Sequence, residues 1–127
     1  MKRLSLRQVR ALHAQVLAEI GGAPGLRDET LLESAVDAPE AGFGGQELYP
    51  SVEARAARLA FGLVRNHPFI DGNKRVGVLA MLVTLEGNGI NLDTSDDDLI
   101  DLGLGLAEGR METDEVVAWI ESHRVAT

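Results

Sequence analysis

His67-Pro68-Phe69-Ile70-Asp71-Gly72-Asn73-Lys74-Arg75-Val76-Gly77 is the stretch that decides how this 127-residue chain is read. No other part of the sequence packs an imidazole, a carboxylate, a Gly-Asn pair and two adjacent cations so closely. Beyond it, Val76, Val78, Leu79, Ala80, Met81, Leu82, Val83 and Leu85 are apolar nearly all round a helical period. A helix apolar on every side is a buried one. The pattern predicts a central helix from Asn73 to about Glu86, closed by Gly87-Asn88-Gly89. The reactive stretch then lies at the N-terminal end of the core helix.

Upstream, a Ser51 cap opens a helix to about Asn66 with Val52, Ala56, Leu59, Ala60, Leu63 and Val64 as its apolar stripe. Arg55, Arg58 and Arg65 fall off that stripe and are assigned to a solvated face. Near the N-terminus, Leu6, Val9, Leu12, Val16, Leu17 and Ile20 predict a helix from a Ser5 cap to about Glu19, ended by Gly21-Gly22-Ala23-Pro24-Gly25. His13 within it is expected to be an ordinary, partly exposed histidine. Asp28 to Val36 reads as a short helix with Asp28 as cap and Pro39 as stop. Ala38 to Pro50 is rich in Gly and Pro and is either a loop or a short hairpin.

Downstream, Ile90 to Asp93 is extended. Ser95 with Asp98 opens a helix carrying Leu99, Leu102 and Leu106, and Gly109 ends it. Gly103 and Gly105 offer room for close packing. A last helix starts near Thr113 with Val116, Val117, Trp119 and Ile120; Trp119 is expected in the core, and His123 has no partner visible in sequence. The outcome is an all-α chain of about six helices around a buried central one, with residues 1–127 forming a single domain.

Composition narrows the function classes. The chain contains no Cys, which excludes disulfides and thiolate metal sites. Basic Met1-Lys2-Arg3 is not followed by an apolar run, and the run from Val76 to Val83 is far short of a membrane span. A soluble, cytoplasmic protein with no membrane partner is expected. The formal net charge of −8 is unevenly placed: residues 1–66 hold eight cations and eight anions, residues 67–127 four cations and twelve anions. Asp96-Asp97-Asp98 and Asp101 centre that excess, so a direct nucleic-acid partner is not expected and a basic partner segment is.

The first turn of a buried helix leaves N–H groups without intrahelical partners, and these must meet a cap, water or a ligand. Gly72 lets a ligand approach the backbone. Open N–H groups at the positive end of a helix make an anion pocket, and Lys74 and Arg75 add full charges beside it. The implied ligand is a phosphate. Asp71 either caps the helix or holds Mg²⁺ beside that phosphate; spacing alone does not choose. His67 is placed to act as general base toward an attacking hydroxyl, with Pro68 and Phe69 fixing it. The residues alone point to phosphoryl or nucleotidyl transfer.

The order His-Pro-Phe-Ile-Asp-Gly-Asn-Lys-Arg closely resembles the signature of the Fic/Doc superfamily, in particular its Doc (death-on-curing) branch. Gly21 to Asp28, Leu31 to Ala35, Gly45 to Pro50, Asn88-Gly89 and Ala107 to Gly109 resemble the same branch in the same order. The resemblance implies a compact Fic fold. It implies His67 as general base, Asp71 as the Mg²⁺ ligand, Gly72 and Asn73 as the anion hole, and Arg75 as the phosphate-holding arginine.

Two departures bear on the reaction. Adenylyltransferases of the superfamily carry Gly-Asn-Gly-Arg and, after two more residues, a second Arg; here Lys74 stands for that Gly and Val78 for that Arg. The resemblance therefore implies a protein kinase that moves the γ-phosphoryl group of ATP to a hydroxyl of an elongation factor Tu-like translation factor. Such a chain is the toxin of a toxin–antitoxin pair. Glu86-Gly87 and Glu108-Gly109 are preceded at four residues by Leu82 and Leu104, so the superfamily's Ser/Thr-x-x-x-Glu-Gly inhibitory motif has no match. A Phd-type antitoxin is the implied regulator, with the acidic face of the last two helices as one docking surface. Protein adenylylation by the same site and a catalytically idle, antitoxin-binding domain are the rival readings.

Overall fold

The computed structural model describes residues 1–126, and within them the chain forms six α-helices and one two-stranded hairpin. They are α1 (Leu6–Ile20), α2 (Glu29–Asp37), β1 (Gly42–Phe43), β2 (Gln46–Glu47), α3 (Val52–Asn66), α4 (Asn73–Gly87), α5 (Asp96–Ala107) and α6 (Thr113–His123). The local signals set most of the starts. Ser5, Asp28, Ser51 and Ser95 each accept the N–H three residues on, and Ser5 and Ser95 complete full capping boxes. Pro39 does not stop α2 directly; the chain tightens into a 3₁₀ turn over Ala38–Glu40 that takes the proline in its first turn. The Ala38–Pro50 segment contains a hairpin, with Gly42 opposite Glu47 and Phe43 opposite Gln46.

The α3–α4 pair is the spine, and it separates two apolar clusters. Val76 and Ala80 of α4 pack with Val9, Leu32, Ala35, Val36, Leu59, Leu63 and Phe69. Val78, Met81 and Leu85 pack with Ala60 and Val64 of α3 and with Leu102, Leu106, Val116 and Ile120 of α5 and α6. The all-round apolar character of α4 is thus used on two opposite sides. Gly77 lets the two spine helices meet: a Cβ there would stand 2.7 Å from Val64 Cγ2 and 3.3 Å from the Ala60 carbonyl. The extended segment after α4 closes the fold, as Asp93 N–H donates to the His123 carbonyl and Val125 N–H to the Asn91 carbonyl.

Side-chain expectations change at four places. Arg65 is exposed as expected, but Arg55 and Arg58 leave the solvated face. Arg55 is largely buried and ties the hairpin down through Glu40, Glu47 and the Tyr49 carbonyl. Arg58 and Arg65 lie 5.2 Å and 5.3 Å from the Phe61 ring centroid, and Arg58 Nη1 is buried with no hydrogen-bond partner among the described residues. Trp119 is only partly buried against the core and stacks on His123 at 4.2 Å. His123 has partners: its Nδ1 lies 2.8 Å from the Trp119 carbonyl oxygen, and its Nε2 3.8 Å from Asp98. The fourth change, at His13, belongs to the site.

Candidate active site

The segment from His67 to Arg75 is the turn that joins the two spine helices. α3 ends on His67, which caps it in the left-handed conformation at φ 53° and ψ 54°. α4 begins after Gly72, whose φ of 82° also lies in the left-handed region. Between them the chain is extended and pairs with the segment after α1. Leu26 and Phe69 form an isolated antiparallel bridge, with Arg27 N–H donating to the Pro68 carbonyl and Ile70 N–H to the Gly25 carbonyl.

That pairing turns the other edge of Phe69 toward Asn73. Phe69 N–H donates to Asn73 Oδ1 at 3.0 Å, and Asn73 Nδ2 donates to the Phe69 carbonyl at 2.9 Å. The Phe69 ring is buried in the α1–α2 side of the core and stacks on His13, with centroids 3.7 Å apart and planes 7° off parallel. His13 is buried, not partly exposed, and its Nε2 lies 2.7 Å from the Asp71 carbonyl oxygen. The spacing of Val9, His13 and Val16 on one face of α1 was the available sign that His13 turns inward. Its partner 58 residues away had no sign in the sequence.

Asp71 is exposed, and both carboxylate oxygens accept backbone donors: Gly72 N–H at 2.8 Å and Ala23 N–H at 3.2 Å. Gly22 permits that approach, since a Cβ on it would stand 2.8 Å from Asp71 Oδ2. Asp71 is not the cap of α4. The cap is Gly72, which supplies no side chain. The N–H groups of Asn73, Lys74 and Arg75 therefore have no hydrogen-bond partner among the described residues. Lys74 and Arg75 are exposed beside them and join no ion pair among the described residues. Open donors and free cations meet at the positive end of the core helix, an arrangement suited to a phosphate group.

The six predicted site residues thus lie in one turn, with different tasks open to them. His67, Asp71, Lys74 and Arg75 present side chains at the surface. Asn73 is 4 % exposed and its amide is spent on Phe69, so what it offers a ligand is its backbone N–H. Val78 is buried in the core and offers no polar atom. Lys74 and Arg75 also line a groove of about 740 Å³ between α1, α4 and α5, whose walls include Val16, Ile20, Leu82 and Ile100. No group of three or more His, Cys, Asp or Glu side chains suited to a metal exists among the described residues. No helix among the described residues is long and apolar enough to cross a membrane.

Fold and turn together define a helical protein whose core helix opens on an anion-accepting loop. The chain belongs to the Fic/DOC family, whose model matches residues 3–85. It is 42% identical over 72 residues to the protein named Toxin Doc of Mycolicibacterium smegmatis; the match covers 57% of this chain and 55% of that protein, so it spans about half the length of that relative. It is 30% identical over 116 residues to the protein named Protein kinase doc of Escherichia phage P1, covering 91% of this chain and 90% of that protein.

Proposed function

We propose that this chain is a Doc-type toxin that transfers the γ-phosphoryl group of ATP to a hydroxyl of an elongation factor Tu-like translation factor, arresting translation. The observation that carries this reading is the state of the first turn of α4. Its N–H groups and two cations are open to one phosphate, while position 78 is a buried valine. A second phosphate pocket on that side has no cation from position 78, and Lys74 occupies the space a glycine would leave. Adenylyl transfer needs such a pocket to hold the outgoing β- and γ-phosphates while the α-phosphate faces the hydroxyl, so its lack favours transfer from the γ end.

In the mechanism, His67 takes the proton of the target hydroxyl as its oxygen attacks the γ-phosphorus. The bond from phosphorus to the β–γ bridging oxygen breaks, and ADP leaves. The backbone N–H groups of Asn73, Lys74 and Arg75, with the Lys74 and Arg75 side chains, hold the phosphate oxygens and stabilise charge in the transition state. Asp71 fits a Mg²⁺ ligand: each oxygen of its exposed carboxylate accepts one N–H and keeps further lone-pair capacity. Mg²⁺ commonly takes one or two protein carboxylates plus phosphates and waters, so a single Asp without a cage suffices. When bound, the ion supplies charge neutralisation at the phosphates.

Inhibition in trans by a Phd-type antitoxin completes the proposal. The groove between α1, α4 and α5 favours it, because a segment laid on its apolar walls reaches Lys74 and Arg75. The phosphate transfer is tested with ATP labelled separately at the α and γ positions, incubated with elongation factor Tu. Label from γ on the target, lost in His67→Ala, is the expected result. Label from α identifies adenylylation instead, and the kinase reading falls.

A further inference from the structure

His67 is the one non-glycine residue with positive φ among the described residues. Placing a residue with a Cβ in the left-handed region costs roughly 1–2 kcal/mol. Something must hold it there, and the imidazole does not: its ring makes no hydrogen bond among the described residues. The direction in which the ring points is set through its backbone.

That backbone is gripped from one side. Arg27 Nε donates to the His67 carbonyl at 2.7 Å, and Arg27 Nη2 donates to the Asn66 carbonyl at 2.7 Å. The backbone N–H groups of Arg27 and Asp28 both donate to the Pro68 carbonyl, at 2.7 Å and 3.0 Å. Three successive carbonyls, of residues 66, 67 and 68, are therefore held by two adjacent residues. Carbonyls at a helix C-terminus lack intrahelical partners and favour a cation. A guanidinium meets both needs, because its N–H groups form a rigid fork that can span two acceptors at once.

We infer that Arg27 is the positioning residue for His67, fixing the left-handed cap from which the imidazole reaches the target hydroxyl; this rests on the reading of His67 as base. The rival role for an exposed arginine in this family would be to hold phosphate. The geometry favours positioning: the fork of Arg27 is engaged by carbonyls, while Lys74 and Arg75 have no partners among the described residues. A lysine at position 27 keeps the charge, but its three donors sit on one nitrogen at the end of a flexible stem, so it lacks the rigid fork that fixes both carbonyls in place.

Arg27→Lys and Arg27→Ala are compared with His67→Ala by steady-state γ-phosphoryl transfer, thermal melting, and NMR assignment of the His67 Cα shift and ring signals. Misplacing a reacting group by about 1 Å costs on the order of a hundredfold in rate. The expected kcat loss approaches that value for Arg27→Ala and is about a tenth as large for Arg27→Lys, with KM for ATP unchanged. The His67 Cα shift moves away from the left-handed range in both variants. If Arg27→Ala does not fold, Arg27→Lys carries the test. An unmoved His67 signal or an unchanged kcat in Arg27→Lys overturns the inference, and so does a loss confined to KM for ATP, which marks a phosphate ligand. Full transfer by His67→Ala overturns the base itself. An inactive His67→Ala beside a fully active Arg27→Lys overturns only the role of Arg27.

Discussion

Replacing Asn73 by Ala should damage the fold as well as the site. Its side-chain amide satisfies both backbone groups of Phe69 in a buried setting, at 3.0 Å and 2.9 Å. Removing it leaves an N–H and a carbonyl without partners. Each such group costs about 1–3 kcal/mol when it stays dry. Ala has the better helix propensity, which returns about 0.5 kcal/mol. The neighbouring Ile70 and Asp71 are exposed, so water can reach part of the loop and the lower half of the range applies. The expected loss is about 2–3 kcal/mol. With a urea dependence of about 1–3 kcal/mol per molar, the unfolding midpoint falls by on the order of 1–2 M. Urea titration followed by far-UV circular dichroism measures it. Asn73→Asp keeps the acceptor for Phe69 N–H and should fall between the two. An Asn73→Ala midpoint equal to that of the parent, at equal slope, would refute the bracing role and leave Asn73 as a ligand residue only.

Two further outcomes are expected. The Ser95 backbone N–H holds the Asp98 carboxyl below its ordinary value of 3.8, against a smaller opposing effect of desolvation, with the Ser95 hydroxyl and His123 adding to the lowering. A carboxyl lowered on folding contributes stability that is present above the unfolded value and lost as pH falls through the folded one. Asp98→Asn should therefore narrow the stability difference between pH 6 and pH 3, as read by thermal melts; an unchanged pH profile counts against the capping box as its source. Ile100, on the wall of the α1–α4–α5 groove and 57% exposed, should tolerate Glu without loss of growth arrest. Co-expression with the antitoxin should no longer rescue growth. Full rescue of Ile100→Glu would move the antitoxin to another surface.

What the sequence made legible was local. Each Ser or Asp cap is a contact over three residues, so the starts of four helices could be read within one residue. The all-apolar α4 announced its own burial. The members of the reactive turn could be listed because they are neighbours in the chain. What stayed hidden was everything that aims them. His13 meets Asp71 across 58 residues, Arg27 meets His67 across 40, and Ala23 meets Asp71 across 48. The period of α1 did carry Val9, His13 and Val16 on one face, but a buried histidine needs a named acceptor, and only the packing of α1 against the turn supplies it. Arg55 misled for the same reason: its partners Glu40 and Glu47 become neighbours only once the hairpin folds back.

The supports of the reactive turn also have a direction in time. His13, Ala23, Gly25, Arg27 and Asp28 all leave the ribosome before the turn they hold, and Asn73 is part of the turn itself. The parts that bury the other side of α4, Leu102, Leu106, Val116 and Ile120, are made last. The turn can therefore take its shape against a scaffold already synthesised, while the helix that anchors it gains full cover only as the final two helices emerge. Chain elongation thus delivers the supports of the turn before the parts that cover the far side of its helix.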